Sequence, residues 1–440
     1  MRIPASTPAA LAALILAVAS SARCDPDAAR VAFVGVWERA APMVAEAARE
    51  LDLPATICTP EELVGRLRAT AGEASRFEVI FVLNLSSTEA RAMKDALAPT
   101  AAANPRRKIT PLDKRPAHVE LEKAGLLTAD PNVPKYWRPN GAVNLKRLLR
   151  YTAITYLGQT GPVEPPVLVP DFGFYDPEKE DPFTNFDACR NFKAGRNRWR
   201  AGGPVAAILI QQSFWVTHDT QVVDAELYEL EKRGINAVVI FGDTQDQVAG
   251  LLKQARPDLL IEDRHGAMWE SPRFLQDLDV PYLRPVSMLG STLDEWQKDP
   301  RGLSYRDVGL FLTLQESWGT IEPVVVGGLK ANLQGFRLHE PFPSGVEKFA
   351  RRAAAWLNLR AKPNAKKRVA IVYYNKGMGQ DDLMRGSPTG AFLDGPESLV
   401  RFLPRLQERG FTLTNLPRSA GELYQFCVII ITMSCFTNGV

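Results

Sequence analysis

Two loops bring imidazole and carboxylate groups together in the sequence. His218 is followed by Asp219, and His265 follows Glu262 and Asp263. A histidine beside a carboxylate can take up a proton or bind a metal ion transiently. His218 and His265 are therefore the candidates for catalytic residues.

A structural interpretation of the same residues stays open. Asp219 could cap a helix that begins near Thr220, and both His218 and His265 could be ordinary loop residues. Neither histidine lies in a spacing that specifies a metal, so no metal ligand is assigned.

A second set of side chains could hold a flat ligand by stacking and hydrogen bonding. These candidates for substrate binding are Phe214, Trp215, Gln315, Glu316 and Trp318. The alternative is that the aromatic members pack in the protein core, as aromatic residues near strand ends commonly do.

Several other chemistries have no support in the sequence. No Walker motif is present, and the Gly-Met-Gly of 377–379 lacks the helix and spacing of a dinucleotide site, so any ATP must be used by a partner. The five cysteines form no CxxC pair, which leaves neither a disulfide framework nor a zinc site. With a net charge of +3 and no basic stripe among aromatics, nucleic acid is not an expected partner.

Buried-strand patterns alternating with helical patterns position these loops. Continuous apolar runs, such as VAAILI at 205–210 and NAVVIF at 236–241, are typical of parallel strands covered by helices. The prediction is an α/β protein with several doubly wound, largely parallel-sheet units in tandem. The expected organisation is an N-terminal α/β domain at 28–160 with a proline-rich surface excursion at 105–139, a linker at 161–203, a second α/β domain at 204–360 and the start of a third unit at 366–423. Asn144 is expected to cap a helix, and RVAIVYY at 368–374 to form the first strand of the third unit.

The two ends of the chain differ from the rest. Residues 1–22 have an apolar core after Arg2 and end in small residues, which predicts a signal peptide and an exported protein of the periplasm or cell envelope. Arg23 stands where a small residue precedes a lipidated cysteine, so membrane anchoring through Cys24 is not expected. Residues 424–440 form an anomalous apolar tail, for which a frameshift or truncated gene is the interpretation and an anchoring or strand-adding tail the alternative.

Four segments, in order along the chain, resemble one known family. They are PVAAILIQQSFWVTHDTQVVDAELYELEKRGINAVVIF (204–241), STLDEWQKDPRGLSYRDVGL (291–310), LQESWGTIEPVVVGG (314–328) and KPNAKKRVAIVYYN (362–375). The family is that of the cobaltochelatase large subunit CobN and the magnesium chelatase H subunit, and the resemblance is to its amino-terminal portion.

This resemblance implies a tetrapyrrole-binding large subunit that inserts or removes a divalent metal, cobalt or magnesium, in a corrinoid or porphyrin. It also implies AAA+ ATPase partner subunits, which an exported protein would not meet in the cytoplasm. Two alternatives remain: an exported tetrapyrrole-binding module without chelatase activity, and a non-functional gene fragment.

Overall fold

The computed structural model divides the chain into two compact units, Met1–Ala354 and Ala355–Val440. It describes residues 29–36, 40–69, 76–101, 104–113, 116–138, 141–242, 244–265, 269, 272–331, 337–371 and 395–423. The predicted signal peptide at 1–22, Cys24 and the tail at 424–440 lie outside the described residues.

The first sheet of the larger unit has four parallel strands in the order β2-β1-β3-β4. The strands are β1 Val31–Val34, β2 Ala55–Cys58, β3 Val79–Val82 and β4 Lys108–Pro111. The helices are α1 Ala41–Glu50, α2 Pro60–Ala69 and α3 Ser87–Leu97. Every residue of β1 and β3 is buried, which explains why both strands are uninterrupted apolar runs.

The proline-rich segment 105–139 is not a surface excursion, so that prediction was wrong. It supplies edge strand β4 and the helices α4 Val119–Lys123 and α5 Val133–Trp137. Val133, Tyr136 and Trp137 are buried in the core. Pro111 ends edge strand β4 and Pro134 lies in the first turn of α5, two positions where a missing N–H costs little.

Asn144 does not cap the next helix, contrary to the sequence-based expectation. Helix α6 runs from Gly141 to Tyr156, and Asn144 lies buried inside it. Its amide accepts from the backbone N–H of Val167 at 2.8 Å and donates to the Val167 oxygen at 3.0 Å. These two hydrogen bonds satisfy both the N–H and the oxygen of Val167, which lies in a segment that pairs with no strand.

The second sheet has seven strands in the order β11-β10-β9-β8-β6-β7-β5. They are β5 Phe172–Tyr175, β6 Val205–Ile210, β7 Asn236–Gly242, β8 Leu259–Glu262, β9 Tyr282–Thr292, β10 Ile321–Ala331 and β11 Arg337–Pro341. The central strands are parallel, whereas β5 and β11 pair antiparallel at the two edges. The predicted α/β class with largely parallel sheets is confirmed.

Helices connect these strands in the alternating manner that the sequence predicts. They are α7 Phe186–Ala194, α8 Gln212–Val216, α9 Gln221–Lys232, α10 Gln245–Ala255, α11 Pro272–Leu278, α12 Leu293–Lys298, the consecutive helical segments Tyr305–Asp307, Val308–Thr313 (a π-helix) and Leu314–Glu316, and α13 Pro343–Ala361. Thr244 begins α10 with a capping box, in which its hydroxyl accepts from the Gln247 N–H and the Gln247 side chain accepts from the Thr244 N–H.

The segment 161–203, interpreted from its sequence as a linker, contributes ordered elements to the second sheet. Strand β5 pairs with β7, and α7 begins at an Asn185 cap. The side chains of Phe174, Phe183 and Cys189 are buried in the core of this sheet. Because β5 has only four residues and lies at an edge, its local sequence pattern is short and weak.

The smaller unit contains helix α14, Gly395–Glu408. Residues 367–371 belong to no regular element, and the rest of the strand predicted at 368–374 lies outside the described residues. Asn364 Nδ2 donates to the backbone oxygen of Arg409 at 2.7 Å within this unit. None of the helices in the described ranges is both long and apolar enough to span a bilayer.

Candidate functional site

The carboxyl ends of the central strands of the second sheet share one edge, where α/β proteins commonly bind ligands. The loops after β6 and β8 both emerge there, because these two strands are adjacent and parallel. Gln211, directly after β6, donates from Nε2 to the backbone oxygen of His265 at 3.1 Å. The two loops that contain the predicted histidines are therefore in contact.

A buried carboxylate–histidine pair lies beside the first of these loops. Asp219 Oδ2 is 2.6 Å from Nδ1 of His339, and Asp219 Oδ1 accepts from the His339 backbone N–H at 3.1 Å. Each residue is only 4% exposed. When Nδ1 donates to the carboxylate, the neutral imidazole has its lone pair on Nε2, which is buried without a hydrogen-bond partner among the described residues.

Two structural elements bring this pair together. His339 lies on edge strand β11, opposite Leu329 of β10. Asp219 follows His218, whose backbone is in the left-handed region at φ 56°, and the Asp219 N–H donates to the Phe214 oxygen at 3.0 Å. A non-glycine residue in this region is uncommon, and here it turns the chain immediately before Asp219.

The structure corrects the interpretation of Asp219 as a helix cap. Thr220 occupies the N-cap position of α9, and no side chain caps that helix. The Asp219 carboxylate bonds to His339 instead, while His218 itself is exposed. The imidazole beside Asp219 in space is therefore that of a residue 120 positions away, not that of its sequence neighbour.

The Phe214 ring lies close to two histidines: His265, a candidate from the sequence, and His339, which the sequence did not suggest. Its ring centroid lies 6.1 Å from that of His265 and 6.2 Å from that of His339. Phe214 is buried and His265 is partly exposed. Of the sequence-predicted candidates, Phe214 thus lies beside His339, and His265 lies beside Phe214.

Buried charges extend this polar region into the sheet. Glu226 on α9 is fully buried, and neither of its carboxylate oxygens has a hydrogen-bond partner among the described residues. Burial raises the pKa of Glu226 well above its ordinary value, and repulsion from Asp263 adds to this, with attraction from Arg284 opposing it. Glu226 therefore favours its neutral, protonated form more strongly than an exposed glutamate does.

Arg284 is held by backbone oxygens rather than by a carboxylate. Its Nη1 donates to the oxygen of Glu262 and, at 2.7 Å, to that of Arg264. Its guanidinium lies 4.6 Å from the ring centroid of Phe311. Burial lowers the pKa of Arg284, and the nearby acids Glu262 and Asp263 oppose that shift.

Glu262, one of the carboxylates expected beside His265, forms its hydrogen bonds with other side chains. It accepts from Arg264 Nε and Nη2, both at 2.7 Å, and from the Tyr282 hydroxyl. Trp269 Nε1 donates to the same hydroxyl at 3.0 Å. Burial raises the pKa of Tyr282, as does the charge of Glu262, so this hydroxyl stays protonated. Glu262 is thus a fixed ion-pair partner and not an available base.

The remaining predicted binding residues lie in several environments. Trp215 stacks on Phe241 with 5.1 Å between ring centroids. Gln315 is buried, Glu316 is exposed, and Trp318 packs against the core of the second sheet. Whether any of these side chains contacts a substrate stays a prediction.

Sequence reasoning missed His339, because its partner Asp219 lies 120 positions away and is brought to it only by the fold. The only sequence signal was the histidine itself in a short strand-like segment. Within the described ranges, no group of three or more His, Cys, Asp or Glu side chains could hold a metal ion.

Comparisons with known proteins identify relatives of this chain. A family model described as CobN/Magnesium Chelatase matches residues 134–429, which is more than half of the chain. The H subunit of magnesium chelatase from Chlorobaculum parvum is 26% identical over 67% of this chain and 23% of its own length. The aerobic cobaltochelatase protein CobN of Pseudomonas aeruginosa is 25% identical over 71% of this chain and 25% of its own length.

A solved structure has the same fold. The catalytic subunit of cobaltochelatase from Mycobacterium tuberculosis matches 92% of this chain and 33% of its own chain, with a TM-score of 0.56 and 19% identity. The chain spans about a quarter of the length of the curated relatives described above.

Proposed function

Because the chain belongs to the CobN/magnesium chelatase family, we propose that it acts as a tetrapyrrole-binding large subunit of a metal chelatase. Such a protein inserts or removes a divalent cobalt or magnesium ion in a corrinoid or porphyrin. The observation that carries the proposal is the family match over 134–429, which spans the whole second sheet and the Asp219–His339 pair. The ion and the macrocycle are both substrates here.

Metal insertion releases the two N–H protons of the macrocycle, so a base is required. We assign the first proton acceptance to His339 Nε2. Asp219 holds Nδ1 in its protonated form and stabilises the imidazolium that results, because the carboxylate lies 2.6 Å away. Asp219 is therefore a positioning residue.

ATP hydrolysis is assigned to partner subunits of the AAA+ class. The sequence contains no Walker motif of its own. Chelatase large subunits in general work with such ATPases, which supports this assignment.

Asp219→Asn is expected to lower the initial rate of metal insertion about 10- to 100-fold while leaving tetrapyrrole affinity within about twofold. Asparagine keeps the size of the side chain but does not stabilise the imidazolium. The insertion rate is measured from the absorbance of the metallated macrocycle with ATPase subunits present. The affinity is measured by an absorption titration with the metal-free macrocycle. His218→Gln, at an exposed histidine next in sequence, is the matched control and should leave both quantities unchanged.

The same assay separates chelatase activity from binding alone. An unchanged insertion rate in Asp219→Asn contradicts the role of the pair. If the wild-type chain binds the macrocycle but inserts no metal with the ATPase subunits, the binding-only alternative replaces the chelatase.

We also propose that the chain is exported, which rests on the signal-like pattern of residues 1–22. An exported chain would not meet cytoplasmic ATPase subunits, so export would favour the binding-only alternative over the chelatase. Expression in a Gram-negative host is expected to yield a periplasmic product that begins at Arg23, because Ser20 and Ala22 occupy the small positions before the cleaved bond. Intact mass and amino-terminal sequencing of the periplasmic fraction measure this. A product that stays in the cytoplasm with residues 1–22 attached would refute export.

A further inference from the structure

Removal of the second N–H proton of the macrocycle requires a second acceptor. Once His339 has taken the first proton on Nε2, its ring is an imidazolium whose other nitrogen, Nδ1, donates to Asp219. An imidazolium has no lone pair left to accept another proton. Because His339 is only 4% exposed, bulk water has little access to its ring to remove the first proton. A second base at the same edge of the sheet is therefore expected.

Two acids near this edge are unsuited to that role. Glu262 forms an ion pair with Arg264 and accepts a hydrogen bond from Tyr282, so its carboxylate already has partners. Burial raises the pKa of Glu226, so this side chain favours its protonated form, which is not a base. An imidazole is the more suitable group, because its ordinary pKa lies near neutral pH.

His265 lies at the same site as His339. The Phe214 ring packs near both imidazoles, with 6.1 Å between its centroid and that of His265 and 6.2 Å between its centroid and that of His339. Gln211 Nε2 donates to the His265 backbone oxygen at 3.1 Å, which ties the loop after β8 to the loop after β6. Both imidazoles are thus held beside one shared ring.

The surroundings of His265 suit a base that exchanges protons with water. The residue is partly exposed. Its Nδ1 is buried, so a ligand can reach the ring only from the side that carries Nε2. His218, the exposed histidine next to Asp219 in the sequence, makes no ring contact with Phe214 in the part of the chain that the structure describes. Of these two histidines, His265 is therefore the one that the fold holds at the site.

We propose that His265 accepts the second N–H proton of the macrocycle and is a further catalytic residue of the proposed chelatase. The N–H bond breaks, its electron pair stays on the pyrrole nitrogen and binds the metal ion, and a new N–H bond forms on the His265 imidazole. The resulting imidazolium releases its proton to water, since the residue is partly exposed. This inference rests on the proposed function and deepens it by naming the second base.

His265→Ala is expected to lower the initial rate of metal insertion by the full chain about 100-fold, with affinity for the metal-free macrocycle within about twofold of wild type. Free imidazole should then restore the rate about tenfold, because a small base can enter the space that alanine leaves. The probes are deuteroporphyrin IX and Mg²⁺ or Co²⁺, with ATPase subunits present. A side chain that only packs against Phe214 would not give a rate that rises with the concentration of a base.

His218→Ala is the matched control. It removes an exposed histidine close in sequence to the site and should insert metal at the wild-type rate with and without imidazole. Asp219→Asn leaves the His339 ring in place and opens no space, so imidazole should not speed that variant. Every rate is compared with wild type at the same imidazole concentration, because imidazole also binds metal ions.

The outcomes separate this inference from the proposed function. A wild-type insertion rate in His265→Ala, or a slow rate that imidazole does not raise, would overturn the inference and leave the proposed function standing. A slow His218→Ala that imidazole restores, beside an unaffected His265→Ala, would assign the second proton to His218 instead. Absence of metal insertion by the wild-type chain would overturn the inference together with the proposed chelatase.

Discussion

Replacing Lys193 with methionine is expected to lower the free energy of unfolding by about 3–5 kcal/mol. The Lys193 side chain is fully buried. Its Nζ donates to Glu231 at 2.7 Å and forms an ion pair with Asp176 Oδ2 at 2.9 Å. In the variant, Arg198 alone remains to neutralise the two buried carboxylates of Asp176 and Glu231.

The network joins the segment 172–198 to helix α9, so its loss should loosen the edge of the second sheet. Urea unfolding followed by circular dichroism measures the change, and methionine keeps the side-chain volume, which separates charge from cavity effects. Lys232→Met on the same helix is the control, since Lys232 is largely exposed and 3.6 Å from Glu229, and it should change stability by less than about 1 kcal/mol. An equally small effect of Lys193→Met would show that the buried network contributes little.

Acid should weaken the same network. Burial alone would raise the pKa of Asp176, but hydrogen bonds and charge from Arg198 and Lys193 outweigh it and lower the pKa below its ordinary value. A carboxylate with a lowered pKa in the folded state stabilises the fold above its unfolded pKa and loses that contribution as pH falls through the folded one. The destabilisation caused by Lys193→Met should therefore shrink below about pH 4.

Glu226→Gln is expected to stabilise the protein at neutral pH and to do so increasingly as pH rises. The pKa of Glu226 is raised in the folded state, so the unfolded chain releases this proton first, from its ordinary value of 4.5 upward. Wild type then loses about 1.4 kcal/mol per pH unit relative to the variant until pH reaches the folded pKa. Below pH 4 the two proteins should have nearly equal pH dependence.

Melting temperatures of both proteins between pH 4 and pH 8 measure this difference. Glu229→Gln is the matched control on the same helix. Its hydrogen bond to Arg233 lowers the pKa of Glu229, so removing its charge should slightly destabilise the protein above pH 4, the opposite sign. Parallel curves for wild type and Glu226→Gln would mean that Glu226 is ionised in the folded protein.

The local sequence pattern was sufficient to predict most of the strands and helices. The runs VAFV, VAAILI and NAVVIFG are buried along almost their whole length, and a fully buried parallel strand must be apolar on both faces. Short edge strands such as β4 and β5 were not recognised, because four residues carry little periodicity.

Sequence alone therefore determined the α/β class and the alternation of strands and helices. These follow from burial and from the parallel direction of neighbouring strands, which are properties of local sequence and simple topology. Only the tertiary structure decided that Asp219 pairs with His339 instead of capping a helix, and that Lys193 neutralises Asp176 and Glu231. Such partners are set by sheet register and helix packing between distant segments, and a buried charge meets its partner only when the chain is folded.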